Sequence, residues 1–297
     1  RRTEEIISIA ESVAANPEPG YREFQTSSLA ESVLRRLGLD VRTGLARTGL
    51  RADLAGRAPG PVFAVLGEMD ALFIPSHPLA NPQTGFAHAC GHNTHIATML
   101  GAAMILSDAR AAEEISGRIA FVACPAEEAI ELEFRKELIR KGEIRYLGGK
   151  QQLIAEGVFD DVDMAAMIHA GSAPGATDTN GTVFKRVEFH GRSTHAAKPF
   201  DSVNALSAAS LAIQALGLLR EVYSADPSVR IHCVLNSAGT AVNVIPDLVV
   251  MECQLRADSP EKLLEMSARV DRALRSCADA LGGSASVETL PGYLPMR

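Results

Sequence analysis

Apolar residues in the first 170 positions switch repeatedly between helical and extended spacing. Positions 4–15 and 22–37 repeat with the period of an amphipathic helix, and prolines or a glycine end both runs. Apolar runs at 39–41, 50–54, 61–66, 118–123 and 162–168 predict strands, with further helices at 96–105 and 128–140. Such alternation predicts an α/β fold, with a mostly parallel sheet sandwiched by helices.

The pattern changes in the last 120 residues. A Gly/Ala/Thr-rich run at 171–181 has no periodicity and predicts a linker. Beyond it, strands are predicted at 183–189, 230–235, 248–255 and 285–288, and helices at 202–219 and 260–281. This β-α-β-β-α-β order is typical of a split βαβ unit, so a smaller α+β domain is expected to follow the first.

Composition narrows the class of function. A chain of 297 residues suggests two domains. A net charge of -7 and a pI near 5.7 argue against a nucleic-acid surface. No apolar run approaches the ~18 residues of a membrane span, and the first residues lack a signal-peptide core. Five cysteines without framework spacing favour free thiols in a reducing compartment. We therefore expect a cytoplasmic protein with a small-molecule substrate.

The segment 88–95, His-Ala-Cys-Gly-His-Asn-Thr-His, is the strongest chemical signal. Cys90 and His92 flank a glycine whose turn would aim both side chains at one point, and thiolate and imidazole are preferred zinc ligands. Glu127 and Glu128 follow the strand at 118–123, and His169 follows the one at 162–168. Ligands after three strands make a metal-dependent enzyme the leading hypothesis.

Plainer interpretations exist for each signal. A single cysteine is usually a small buried apolar residue, which suits the four cysteines other than Cys90. Paired carboxylates often mark a solvated helix start, which suits Glu131 and Glu133. A structural zinc site would want four closed ligands and no spare carboxylate, and Glu127 argues against it.

Several motifs together resemble a known family. They occupy 69–72, 88–92, 125–128, 168–169, 191–197 and 243–246, followed by Arg256, and they span about two thirds of the chain. The chain resembles the M20 metallopeptidases, in particular the amidohydrolase branch of aminoacylases, auxin-conjugate hydrolases and aminobenzoyl-glutamate hydrolases. The resemblance implies hydrolysis of the amide bond of an N-acyl or aminoacyl amino acid with a free carboxylate. The alternatives are a dipeptidase or carboxypeptidase of the same fold, and a catalytically degenerate member that binds a ligand.

The resemblance also implies a site with two divalent metal ions, zinc or manganese first, then cobalt or nickel. Cys90 would bridge the ions, with His92 and Glu128 on one and His169 on the other. Glu127 would be the general base, and Asp70 would hold a ligand or its loop in place.

The second domain resembles the lid through which family members dimerise. His195 would reach the partner's site and polarise the scissile carbonyl, while Asn243 and Arg256 would grip the substrate carboxylate. We therefore expect a homodimer.

The expected division is a catalytic domain at 1–178, a lid at 179–290 and the start of a return to the catalytic domain at 291–297. In relatives that return supplies a last metal histidine, so the catalytic domain of this chain is expected to be incomplete. The family's usual Arg-Ala-Asp before Met-Asp is replaced by residues 66–68, Leu-Gly-Glu, and its usual aspartate by Asn93.

Overall fold

The computed structural model describes residues 2–171 and 178–296, and the predicted linker lies largely outside these residues. The described chain divides into two compact units, Arg1–Pro174 and Gly175–Arg297. The domain limits at 178 and 290, and the roles assigned to each domain, stay predictions.

The first unit has the expected alternation of helices and strands. Its helices are α1 (Thr3–Ala15), α2 (Phe24–Arg36), α3 (His92–Asp108), α4 (Leu132–Arg140) and α5 (Gly149–Ala155). Its strands are β1 (Val41–Leu45), β2 (Gly49–Ala55), β3 (Val62–Glu68), β4 (Leu72–Phe73), β5 (Phe86–Ala87), β6 (Arg118–Cys124) and β7 (Met164–Met167).

The main sheet of this unit has the order β1-β2-β6-β3-β7. β3 pairs in parallel with β6 and with β7, whereas β1–β2 and β2–β6 are antiparallel. The fold class is as predicted, but the sheet is mixed rather than mostly parallel. The β1–β2 connection of only three residues explains part of this, because so short a link joins only antiparallel neighbours.

Helices cover both faces of the sheet, and β6 shows why. Phe121 and Ala123 point into a core formed with α1, α2 and α3, while Ala120, Val122 and Cys124 point into a second core formed with α4 and α5. Alternate residues of a strand face opposite sides, so a strand buried on both sides is apolar throughout. This burial fixes β6 in the centre, with its carboxyl end at the site described below.

The second unit has the predicted β-α-β-β-α-β order. Its strands are β8 (Gly181–His190), β9 (Thr194–His195), β10 (Arg230–Ser237), β11 (Val244–Ile245), β12 (Leu248–Ala257) and β13 (Ser284–Tyr293). Its helices are α6 (Ala205–Leu219) and α7 (Pro260–Asp279). The antiparallel sheet β10-β12-β8-β13 packs against both helices through one apolar core, and β9 and β11 form a separate short pair.

Three expectations need correction. Helix α5 was not predicted, α4 begins at Leu132 rather than near 128, and the end of the expected linker belongs to β8.

One helical segment of the second unit, Ala205–Tyr223, is long and apolar enough to cross a membrane by length and composition alone. Its alanines and Leu216 nevertheless pack on the sheet, as in the core helix of a globular domain.

Candidate metal centre

The predicted ligands come together where the parallel strands of the first unit end. β3 ends at Glu68, β6 at Cys124 and β7 at Met167, so the segments that follow them leave the same edge of the sheet. Helix α3 begins at the same edge with His92. Carboxyl ends of parallel strands are where open α/β sheets bind ligands, because adjacent loops converge there.

Two glycines allow the motif at 90–92 to reach this edge. Gly91 has φ 87° and ψ 14°, a left-handed conformation that glycine adopts without a steric penalty. This turn directs the side chains of Cys90 and His92 toward the same site, as the spacing predicted. A Cβ at Gly67 would lie 3.0 Å from the His95 carbonyl oxygen, so the missing side chain lets α3 approach β3 closely.

The four predicted metal ligands are brought together. Ligand atoms of Cys90, His92 and Glu128 all lie within 4.8 Å of one another. His169 Nε2 lies 3.8 Å from Cys90 Sγ, so the thiol stands between the other two ligands and His169. This is the arrangement expected of a ligand shared by two sites.

Asp70 lies behind this cluster and orients two of its members. His92 Nδ1 donates to the Asp70 carbonyl oxygen at 2.8 Å and to Asp70 Oδ1 at 3.1 Å. Asp70 Oδ2 accepts the backbone N–H of Glu128 at 2.9 Å. Burial opposes ionisation of Asp70, but the His92 hydrogen bond and charge outweigh it and lower the Asp70 pKa. With Nδ1 engaged, His92 presents Nε2 to the cluster.

Two buried residues that the sequence analysis did not identify hold the loop with Glu127 and Glu128. Ala126 has a positive φ of 51°, and its N–H donates to Glu23 Oε1 at 2.7 Å. The Arg135 guanidinium donates to the Glu128 and Leu147 carbonyl oxygens. Glu23 and Arg135 are both buried, and no local sequence signal marks either as part of the site.

The atoms of the cluster suit a divalent cation. His92 Nε2 and Glu128 Oε1 are buried, lie 3.8 Å apart and have no hydrogen-bond partner among the described residues. Glu68 Oε2 lies 3.2 Å from His92 Nε2 without forming a hydrogen bond. Buried polar atoms are nearly always paired, and imidazole nitrogen, carboxylate oxygen and thiolate sulfur are all ligands of divalent metals. The residues therefore fit a metal ion.

The electrostatics of the cluster agree with this fit. Burial, followed by the charge of Glu127, raises the pKa of Glu128 to about 7. Burial, followed by the charge of Glu68, also raises the Glu127 pKa. These carboxylates crowd one another, and a bound dication would supply the opposite charge that favours their ionised forms. Glu127 Oε2 lies 3.9 Å from His92 Nε2, beside the ligand atoms.

A second group borders the cluster, and two of its four residues, Glu68 and His95, were not predicted as site residues. Glu68, His92, His95 and His169 have ligand-type atoms within 4.8 Å of one another. Glu68 also forms an ion pair with Lys150 at the start of α5. Burial opposes its ionisation, but His95, Lys150 and His92 outweigh this and lower the Glu68 pKa to about 2. In the sequence, Glu68 stands out only as a departure from the family motif.

The predicted residues of the second unit do not all lie together. His195 and Val244 are paired across β9 and β11, so Asn243 is near His195, and both side chains are exposed. Arg256 lies eight residues along β12 from Leu248, a distance of about 26 Å in an extended strand. The unit therefore places Arg256 at the opposite end of its sheet from His195 and Asn243, and these residues of one chain cannot grip the same small carboxylate.

Comparison with known proteins identifies the family. Residues 64–293 match the model described as Peptidase family M20/M25/M40, and the chain belongs to this family. This confirms the predicted family and the predicted enzyme class, a metal-dependent amidohydrolase or peptidase.

Curated relatives cover nearly the whole chain. N-acetyl-L-cysteine deacetylase of Bacillus subtilis is 28% identical over 98% of this chain and 68% of its own length. IAA-amino acid hydrolase ILR1-like 4 of Arabidopsis thaliana is 28% identical over 98% of this chain and 64% of its own length. Thermostable carboxypeptidase 2 of Saccharolobus solfataricus is 28% identical over 98% of this chain and 73% of its own length. The chain thus spans about two thirds to three quarters of these relatives.

Solved structures share the fold. A putative aminohydrolase of methicillin-resistant Staphylococcus aureus has a TM-score of 0.72 and 22% identity, with 99% of this chain and 77% of that chain covered. An aminobenzoyl-glutamate utilization protein of Klebsiella pneumoniae has a TM-score of 0.68 and 23% identity, with 100% of this chain and 77% of that chain covered. The predicted fold class is confirmed.

Proposed function

We propose that this chain hydrolyses the amide bond of an N-acyl or aminoacyl amino acid with a free carboxylate, using two divalent metal ions. The observation that supports this most directly is the cluster of Cys90, His92 and Glu128, with His169 beside the thiol and Glu127 adjacent. The relatives add support through their names, which include a deacetylase and an amino acid conjugate hydrolase. A carboxypeptidase among them keeps peptide cleavage as the second candidate.

Divalent ions bound at this site would polarise the scissile carbonyl and make water a stronger nucleophile. Cys90, His92 and Glu128 would hold these ions together with His169. Glu127 takes a proton from the attacking water and delivers it to the nitrogen of the leaving amine. Burial raises the Glu127 pKa, which makes this carboxylate a stronger base than an exposed glutamate.

Two single substitutions separate the base from the ligand. Glu127→Gln keeps the shape and removes the base, so turnover on N-acyl amino acids should fall on the order of 10²-fold or more while metal content is unchanged. Glu128→Gln should instead lower the metal content, measured by elemental analysis of the purified protein. Near-normal turnover in Glu127→Gln would show that the base lies elsewhere and would contradict the proposal.

The substrate class is tested with matched substrates. N-acyl amino acids and dipeptides with the same carboxyl-terminal residue, the dipeptides both free and N-blocked, should be hydrolysed at different rates. A clear preference for the N-acyl amino acids supports the amidohydrolase, and a preference for the dipeptides supports the peptidase. A chain that binds metal and hydrolyses neither would be the degenerate ligand-binding member. A cytoplasmic location stays a prediction.

We also propose that the second unit dimerises and that His195 acts in the partner's site. Support comes from edge strand β10 and from exposed apolar side chains on α6 and just beyond it, which include Ile213, Leu218 and Val222. Mixing His195→Ala with Glu127→Gln should restore activity, because one site of a mixed dimer regains both groups. If subunits exchange and no activity returns, His195 does not act in the partner's site.

A further inference from the structure

A chain of contacts links α5 to the loop after β7 through residues outside the predicted ligand set. Lys150 forms an ion pair with Glu68 Oε1, and Glu68 Oε2 lies 3.0 Å from His95 Nδ1. His95 Nε2 accepts the backbone N–H of Ala170 at 2.8 Å. The Ala170 carbonyl oxygen lies 2.8 Å from His169 Nδ1. This series of contacts therefore ends at His169, a predicted metal ligand.

These contacts determine the tautomer of His95. A nitrogen that accepts a backbone N–H has no proton of its own, so Nε2 is the unprotonated nitrogen. In neutral imidazole the proton then resides on Nδ1, which donates it to Glu68. Both nitrogens of His95 are thus occupied by protein partners. Although His95 lies among ligand-type atoms, it has no lone pair left for a metal ion.

The same reasoning gives the orientation of His169. Its Nδ1 faces a carbonyl oxygen and must donate, so the lone pair of its neutral ring is on Nε2. That nitrogen faces Cys90 Sγ at 3.8 Å and Glu68 Oε2 at 4.0 Å. The Ala170 peptide is held by His95 through its N–H and holds His169 through its oxygen.

The strand that leads to His169 lies at the periphery of the first unit. Strand β7 is the edge strand of the sheet, and its residues Met164, Ala165 and Ala166 are exposed. The His169 side chain is itself 45% exposed. In contrast, His95 and Glu68 are buried, on a core helix and a central strand. Glu68 and His95 therefore form the rigid part of this series of contacts, and they hold the Ala170 peptide in place.

We infer that His95, supported by Glu68 and Lys150, is a positioning residue that fixes His169 as a ligand of the second metal ion. This inference rests on the two-metal centre of the proposed function. Lys150 compensates the charge of Glu68, and Glu68 keeps the His95 proton on Nδ1. The function of the group is to set the direction of His169 Nε2.

Two substitutions at His95 test the inference, because each keeps one of its two hydrogen bonds. His95→Asn retains a donor near the Nδ1 position but removes the acceptor for Ala170. His95→Gln places an acceptor near the Nε2 position and weakens the contact with Glu68. Cobalt(II) is titrated into the metal-free full chain and followed by calorimetry and visible absorption, with thermal unfolding of the metal-free forms as the control for folding.

The expected result is that His95→Asn lowers the affinity for the second cobalt ion about 10- to 100-fold, as loss of an outer contact to a ligand typically does. The affinity for the first cobalt ion should not change. His95→Gln should stay within a few-fold of the unsubstituted chain. Equal loss in both variants would mean that His95 itself binds the metal, which overturns the inference. Two unchanged ions in both variants, or a single ion in the unsubstituted chain, would also overturn it. If the unsubstituted chain binds no cobalt, the proposed two-metal function fails as well.

A second measurement does not depend on metal. Long-range ¹H–¹⁵N spectra of the metal-free protein should show His95 as the neutral Nδ1–H tautomer, which is the less common form of free histidine. An Nε2–H tautomer or an imidazolium at His95 would contradict the contact chain directly.

Discussion

Glu23 gives the sharpest test of how burial shapes this site. Its side chain is completely buried, Oε2 accepts the Thr48 hydroxyl at 2.5 Å, and Oε1 accepts the Ala126 N–H at 2.7 Å. Burial, followed by the negative charge of Asp70, raises its pKa from 4.5 to about 8, and the two hydrogen bonds only partly oppose this. Glu23 should therefore retain its proton at neutral pH, next to the loop with Glu127.

The sign of the effect on stability follows from proton linkage. Between pH 4.5 and about 8 the unfolded chain has lost the Glu23 proton while the folded chain keeps it, so stability falls as pH rises through this window. A tenfold change in a protonation equilibrium corresponds to about 1.4 kcal/mol, so the full window corresponds to an upper value of about 5 kcal/mol. Glu23→Gln cannot ionise. Its amide oxygen can accept the Ala126 N–H, and its amide N–H can donate to the Thr48 hydroxyl, which reverses the direction of that hydrogen bond.

The assay is urea unfolding of the metal-free protein from about pH 5 to about pH 9, because linkage predicts a difference that grows with pH. Relative to the unsubstituted chain, Glu23→Gln should gain at least about 2 kcal/mol across this range. Glu114→Gln, at an exposed position, is the matched control and should show no such trend. If the curves of Glu23→Gln and the unsubstituted chain run parallel within about 0.5 kcal/mol, Glu23 is ionised in the folded state and the reasoning is wrong.

Two further substitutions test the framework of the first unit. A Cβ at Gly149 would lie 1.8 Å from the Pro125 carbonyl oxygen, so Gly149→Ala should cost on the order of 1–3 kcal/mol in urea unfolding and weaken metal binding. Gly217→Ala, with open space around it, should instead be neutral or stabilising, and equal effects would refute the clash. Arg51 is buried between two carboxylates, so Arg51→Met should cost about 3 kcal/mol, whereas the exposed Arg118→Met should cost less than about 1 kcal/mol. Similar losses in the two arginine variants would show that burial does not decide the cost.

The sequence by itself determined the elements of this protein and the ligands at their ends. Apolar periodicity identified most helices and long strands, because it records which face of each element is buried. The turn at Gly91 and the carboxylates after β6 were recognisable because spacing within a few residues fixes local geometry. The structure brings Cys90, His92, Glu128 and His169 together as this pattern predicted.

Tertiary structure alone decided which strands are neighbours and which polar residues are buried. Periodicity gives no partner for a strand, so the antiparallel pairing of β2 with β6 was not predictable from it. Likewise, the family resemblance implied that Asn243 and Arg256 grip the substrate carboxylate, whereas the length of β12 separates the two residues within one chain. The distance between them is visible only in the folded strand.

Four of the missed residues share one property. Glu23, Glu68, His95 and Lys150 are polar, and in sequence they resemble surface residues, the class to which most charged side chains belong. Their partners lie between 25 and 103 positions away in the chain. A buried polar side chain is stable only because a distant part of the chain supplies its hydrogen bonds and its opposite charge, and folding alone brings those partners within reach.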